Sequence, residues 1–195
     1  MEQASRAGLP ILAFPDEAAF AGWIAAQPPT SSGLWLKLAK KGARITSVGK
    51  AEAIDVALCH GWIDGQLDKY DPSHWLVRFT PRRRGSKWSE VNARRAEELV
   101  AVGRMTPSGL AEIEAAKADG RWQAAYAPQS TAEVPPDLQA ALDASPAAAS
   151  FFATLKGVNR YAVLYRIGAV KKPETRMRRI GEFVAMLERG ETIHG

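Results

Sequence analysis

Three short runs between Leu34 and Thr80 carry the period of a strand, and the longer runs around them carry apolar residues three and four apart. In "LWLKLAK", Leu34, Leu36 and Leu38 alternate with Trp35, Lys37 and Ala39, the pattern of a strand with one buried face. "WIDGQLD" and "HWLVRFT" read as two more strands. The "KYDPS" between them is a turn, because Asp and Ser bond their own backbone and Pro presets one dihedral. The spacing predicts helices on either side of the first strand, over "DEAAFAGWIAAQ" after Pro15 and from Lys50 to His60, with Gly61 ending the second in a left-handed conformation. A further helix is expected from the N-cap Ser89 to Val102, stopped by Gly103. Another is expected from the N-cap Thr106, with Pro107 in its first turn, to Gly120.

Residues 127–136, "APQSTAEVPP", lack periodicity and hold three of the twelve prolines, so they are expected to link two parts. Three helical runs follow: "DLQAALDA", "AAASFFATLKGVNRYAVLYRIGAV" and "PETRMRRIGEFVAMLERG". The expected architecture is α+β, a small antiparallel sheet with flanking helices, followed by a C-terminal helical subdomain. The expected divisions are 1–126, the linker 127–136, and 137–195.

With 46% hydrophobic and 24% charged residues, 195 residues can bury a core without disulfides or metal. Cys59, the single cysteine, excludes an internal disulfide and a cysteine-built zinc site. The N-terminus lacks the basic start and long apolar core of a secretory signal, and no stretch is long and apolar enough to span a bilayer, so a cytoplasmic protein is expected. The net charge of +5 favours an anionic small molecule or macromolecule as partner, with nucleic acid among those the charge allows.

Several common chemistries fail on spacing. "GARITSVGKAE" puts six residues between its glycines and Ala51 after the lysine, where a phosphate loop needs four and a Ser or Thr. Cys59 and His60 are adjacent on a helix and so point about 100° apart, which is no geometry for a nucleophile and its base. A buried small hydrophobe is the simpler reading of Cys59, and His60 could serve as a helix-terminal cation. His60, His74 and His194 lack close ligand spacing, so no metal and no other cofactor is expected, the one alternative being a mixed site of His60, Asp64 and His74. No GxSxG elbow surrounds Ser86 or Ser89.

The block from Cys59 to Arg95 carries the strongest signal. Alternation puts Asp64 and Asp68 on one face of a strand, and Asp64, between Ile63 and a glycine, is a carboxylate in need of a partner. From Arg78 to Arg95 seven cations stand against one acid, Glu90, and the run leads into the helix start at Ser89, where free amides favour an anion. The expected ligand-binding residues are Arg78, Arg82, Arg83, Arg84, Lys87, Trp88, Ser89 and Trp62, a basic surface lined by tryptophan. The alternative is a solvated loop whose arginines pair with Asp64 and Asp68. A second basic run, Lys171 to Arg179, has Arg176 and Arg179 on one helix face.

The segments "EAIDVALCHGWIDG", "PRRRGSKWSEVNARRAEELVAVGRMTPSGLAEIEAAKADGRW" and "KKPETRMRRI" resemble the YdeI/OmpD-associated family, also labelled bacteriocin-protection proteins, over roughly Trp35 to Leu187. The resemblance implies a stress or bacteriocin-resistance role without naming a chemistry, and supplies no catalytic residues. It also places His60 where the family pattern more often has an aromatic, which argues against a catalytic base. The leading reading is therefore a non-enzymatic anion-binding protein. The alternatives are an enzyme acting on a phosphorylated or carboxylated small molecule with Asp64 as general acid or base, and a protein interaction module using the C-terminal helices.

Overall fold

The structure, a computed structural model, describes residues 4–194. Its first strands are ones the periodicity does not announce. Ser5–Arg6 (β1) and Leu9–Leu12 (β2) pair antiparallel across Ala7 and Gly8, both at positive φ, 50° and 76°. Those dihedrals make the two-residue turn that suits the twist of a hairpin. Alanine pays a steric penalty there, so the sequence carries no Asn-Gly or Asp-Gly signal for it. Glu17–Ala25 (α1) follows, its N-cap Asp16 accepting from the Ala19 amide, and leads into Leu34–Ala39 (β3). Because α1 is a crossover that returns the chain in the same direction, β2 and β3 run parallel. The sheet is therefore mixed rather than wholly antiparallel.

Lys50–Cys59 (α2), Trp62–Lys69 (β4) and His74–Pro81 (β5) complete a five-stranded sheet of order β1-β2-β3-β5-β4, and Glu90–Ala101 (α3) and Pro107–Ala118 (α4) follow. One face of the sheet holds Leu34, Leu36, Leu38, Val77 and Phe79 against Phe20 and Ile24 of α1 and Val56 and Ala57 of α2. On the other face Trp35 and Leu76 are buried with Leu9. The α3 and α4 boundaries follow their caps: Ser89 Oγ accepts from the Asn92 amide, and Thr106 caps from the Gly109 amide.

The chain divides into two compact units, one up to Ala125 and one from Tyr126. In the second, Pro136–Asp143 (α5), Pro146–Thr154 (α6), Gly157–Gly168 (α7) and Pro173–Glu188 (α8) bury Leu138, Leu142, Val163, Ile167 and Leu187 among others. The long middle run read as one helical stretch is two helices. Leu155 and Lys156 are extended and Gly157 takes a φ of 54°, so the helix stops and restarts there. Arg176 forks onto the Asp137 carboxylate at 2.5 and 2.9 Å and donates to the Ile167 carbonyl at 2.7 Å, tying α5, α7 and α8 together. The hydrogen bonds from Arg176 hold Asp137 below the usual carboxylate range. Among the described residues no helix is long and apolar enough to cross a membrane.

Gly33 passes close against the backbone of β5. At a φ of 94°, a Cβ there would lie 2.1 Å from the Phe79 carbonyl oxygen of β5. Gly42, at a φ of 87°, has open space around it. Gly33→Ala is expected to cost about 3 kcal/mol, since it adds a backbone clash to the left-handed strain, and Gly42→Ala about 1 kcal/mol from strain alone. Urea unfolding of the two variants measures the difference, and equal losses would mean that β5 shifts freely.

Candidate functional site

The site is shaped by how the end of α2 meets β4. The Cys59 carbonyl accepts from the Thr106 amide at 3.1 Å and the Thr106 hydroxyl at 2.6 Å, and the Ser108 hydroxyl donates to the His60 carbonyl at 3.2 Å. The start of α4 thereby satisfies carbonyls that a helix end leaves open. Gly61, at a φ of 72°, turns the chain into β4, and its carbonyl accepts from the Arg82 amide at the end of β5. Cys59 is buried here, and burial pushes its thiol up, away from the reactive thiolate. Burial also pushes the His60 ring down, which makes it a poor helix-terminal cation at neutral pH. His74 opens β5 and its Nδ1 sits 2.9 Å from Asp71, so His60, Asp64 and His74 do not form a site. Among the described residues no three His, Cys, Asp or Glu side chains converge as metal ligands would.

From Asp64 onward the strand pairing departs from simple alternation. Asp64 lies opposite Phe79, but Leu67 lies opposite Val77, so Gly65 and Gln66 together face the single residue Arg78. This is a β-bulge, and its extra residue inverts the facing of everything after it. Asp68 consequently pairs with Leu76, on the face opposite to Phe79, where Arg6 takes it in an ion pair. The expectation that Asp64 and Asp68 share a face is overturned by that one residue.

The basic run divides by burial. Arg82 is 6% exposed, its guanidinium lies 3.5 Å from the centre of the Trp88 ring, and Nη1 donates to the Lys87 carbonyl at 3.2 Å. It is a packing residue rather than part of a ligand-binding face. Arg83, Arg84 and Lys87 are exposed on the loop that follows, which turns at Gly85 with a φ of 87°. The Arg83 amide donates to Ser86 Oγ, and Arg121 Nη1 holds the Ser86 carbonyl at 2.8 Å. Arg95 is engaged by Asp55, at 2.6 and 2.7 Å, and by Glu98. Ser89 spends its hydroxyl on its own helix, whose first turn already holds Glu90, so that helix start is less of an anion cradle than its sequence suggests.

Of the three tryptophans among these charges, Trp62 and Trp88 lie beneath the surface and Trp75 is half-buried. Trp88 is 1% exposed, packed with Leu58, Ala96 and Leu99 and 4.8 Å from Trp122, while Trp62 is buried in the sheet core against Trp23. In the second unit, Arg176 pairs with Asp137, and Arg178 and Arg179 share Glu182, so two carboxylates answer three of that run's five cations.

What the fold does bring together is a cleft of about 270 Å³ at the bulge, lined by residues that include Asp64, Gln66, Arg78, Thr80, Arg83 and Ser86. Arg78 is half-buried, and its Nε is buried without a hydrogen-bond partner. Asp64 is half-buried and lines the same cleft. Gln66, Thr80 and Ser86 were not expected from the sequence. The one pointer to them was Gly65 inside a strand, a position that often marks a bulge.

Residues 12–112, just over half of the chain, match the family model described as Domain of unknown function (DUF8412). The chain belongs to the DUF8412 family. Residues 131–190 match a second model, OmdA, described as Bacteriocin-protection, YdeI or OmpD-Associated. The YdeI/OmpD-associated resemblance is therefore correct, with its matched region in the C-terminal helices, around "KKPETRMRRI". The "GWID" and "PRRRG" segments and the cleft at Asp64 and Arg78 fall within the DUF8412 region. No curated protein and no solved structure matches the chain.

The division of the basic run has a direct consequence in this DUF8412 region. Arg82→Ala should destabilise the protein by about 1–3 kcal/mol, while Arg83→Ala and Arg84→Ala should each stay within about 0.5 kcal/mol of the parent. Denaturant midpoints of the three single variants check this, and an Arg82→Ala midpoint indistinguishable from the parent would contradict the packing role.

Proposed function

We propose that the protein binds a small anionic ligand in the bulge cleft, through Arg78 at its wall and Arg83 at its rim, and acts in stress or bacteriocin resistance by binding rather than by catalysis. The observation that carries this reading is Arg78 in the wall of the cleft, a half-buried guanidinium whose Nε makes no hydrogen bond. A guanidinium partly withdrawn from water gains more from a charge-assisted bond to a ligand carboxylate or phosphate oxygen than a fully exposed one does. The family description of the C-terminal region, bacteriocin protection, supports a protective role and names no reaction. With Trp62 and Trp88 buried, neither ring is open for a base to stack on, which favours the small anion as partner. The catalytic alternative, Asp64 as general acid or base, draws on the same cleft, and turnover of a bound ligand would be its mark.

Calorimetric titration with acetate and inorganic phosphate at low salt tests the binding reading. Arg78→Met, which retains much of the stem packing, should weaken binding about tenfold or more, and added salt should weaken it further. Unchanged affinity in that variant would sink the assignment.

One observation favours the interaction-module reading for the second unit. A groove of about 620 Å³ between α5 and α8 is lined by Ala141, Ala144, Gly181, Val184 and Ala185, with Met177, 70% exposed, on its rim. Met177 lies one turn from Gly181 and two from Ala185, so the patch carries both a protruding side chain and the small residues that could receive it. A self-complementary patch of this kind suits a second copy of the chain. Light scattering over rising protein concentration should show a dimer that Met177→Glu abolishes, and a monomer throughout would remove this reading.

A further inference from the structure

We infer that one end of the sheet, formed by the loop after β3 and the turn between β4 and β5, adsorbs to an anionic lipid surface. Lys37, Lys41, Arg44 and Lys69 face the headgroups there, and Ile45 and Tyr70 enter the interface. This surface is separate from the bulge cleft, because β5 runs from the one, at His74, to the other, at Thr80 and Pro81.

Five cations, Lys37, Lys40, Lys41, Arg44 and Lys50, fall between residues 37 and 50 without one acid. The fold gathers them with Lys69. Ala39 pairs with His74 and Lys69 with Trp75, so β3, β4 and β5 meet at this end. The Lys40 amide donates to the Ser73 carbonyl at 2.8 Å, and its Nζ donates to the carbonyls of Asp71 and Pro72 at 2.8 and 3.1 Å, which ties the loop to the turn. Lys37 Nζ stands 4.9 Å from the centre of the Tyr70 ring and Lys50 Nζ 5.7 Å from that of Trp75. Trp75 packs on the core face and Lys37 alternates with core residues, so positive charge flanks both faces of the sheet end. Among the described residues none of these six cations forms an ion pair. The neighbouring acids are already engaged: Asp71 accepts from the Ser73 and His74 amides, Asp68 pairs with Arg6, and Glu52 accepts from the Gly49 amide.

Two features select a lipid surface over a nucleic acid. Five of the six cations are lysines, hydrated point charges that suit the diffuse field of anionic headgroups, whereas arginine forks are the usual grip on nucleic-acid phosphate. Apolar side chains also stand in water on the two adjoining segments, with Ile45 43% and Tyr70 38% exposed. An aliphatic side chain and a tyrosine set among lysines have the composition of a membrane interface, where the tyrosine lies at headgroup level and lysine stems follow the apolar boundary. A nucleic acid offers Ile45 no apolar phase.

The test is flotation of the full chain, at physiological salt, with vesicles of phosphatidylcholine alone or mixed with equal parts of phosphatidylglycerol. Binding of a labelled single-stranded oligonucleotide is followed in parallel by polarisation. Since each cation near an anionic surface adds about fivefold in affinity, the anionic vesicles should bind about tenfold or more tightly than the neutral ones. Lys41→Gln with Arg44→Gln should weaken that binding about tenfold or more. Arg84→Gln with Lys87→Gln removes the same charge at the far end of β5, beyond the roughly 8 Å reach of unscreened charge, and should leave binding within about twofold. Ile45→Ser should weaken vesicle binding several-fold and leave any oligonucleotide binding unchanged. Equal losses in the two double variants would reduce the effect to net charge and overturn the inference. So would equal binding to both vesicle types, no flotation, or tighter binding of the oligonucleotide than of the vesicles. Should the Lys41 and Arg44 double variant fail to fold, the vesicle preference of the parent and the Ile45→Ser result still decide.

Discussion

The first unit depends on one close approach, that of the start of α4 onto the last carbonyl of α2. The Cys59 oxygen takes the Thr106 amide and hydroxyl, and Gly109 sits so near that a Cβ there would lie 2.3 Å from it. Only glycine admits that distance, and only a left-handed residue, Gly61 with its φ of 72°, then carries the chain directly into β4. The Gly61 carbonyl in turn anchors the Arg82 amide where β5 ends. The start of β4 and the end of β5 are thus pinned to the same point, and the one surplus residue between Asp64 and Leu67 has to be absorbed as a bulge. The cleft lies at that bulge, so the geometry of the candidate site follows from a helix-capping contact made elsewhere.

The same junction explains why the arginine-rich segment is less uniform than its composition. Arg82 leaves β5 pointing at Trp88, and the guanidinium lies flat enough on the indole to be buried. Cation–π contact and covered stem make such an arginine part of the packing. Two residues further on the chain is a solvent-exposed turn, and Arg84 shares nothing with Arg82 except its charge. A run of like residues is divided into interior and exterior by the path of the backbone, which composition does not encode.

Where local chemistry decides structure, the sequence was directly readable. Ser89 and Thr106 cap the helices that begin after them, Gly103 and Gly120 take the left-handed conformation just beyond those helices' ends, and the period-two runs at Leu34, Trp62 and His74 are strands. Each of these depends on a few neighbouring residues. The hairpin at Ala7 and Gly8 escaped because alanine is an unusual choice at positive φ. The break between α6 and α7 escaped because apolar spacing continues across Leu155 and Lys156 while the backbone does not.

By itself the sequence determined the class of fold, the capped helix starts at Ser89 and Thr106, the charged segment that contributes to the site, and the lack of a phosphate-loop motif, a serine-elbow motif and an internal disulfide. Tertiary structure alone decided which members of that segment face solvent, that Asp64 and Asp68 fall on opposite faces, that Trp62 and Trp88 are core, and that Arg78 lines a cleft beside the bulge. The physical reason is range. Caps, turns and period are settled within about one helical turn or strand repeat, whereas burial and register depend on residues tens of positions away, and one inserted residue is enough to reverse a face.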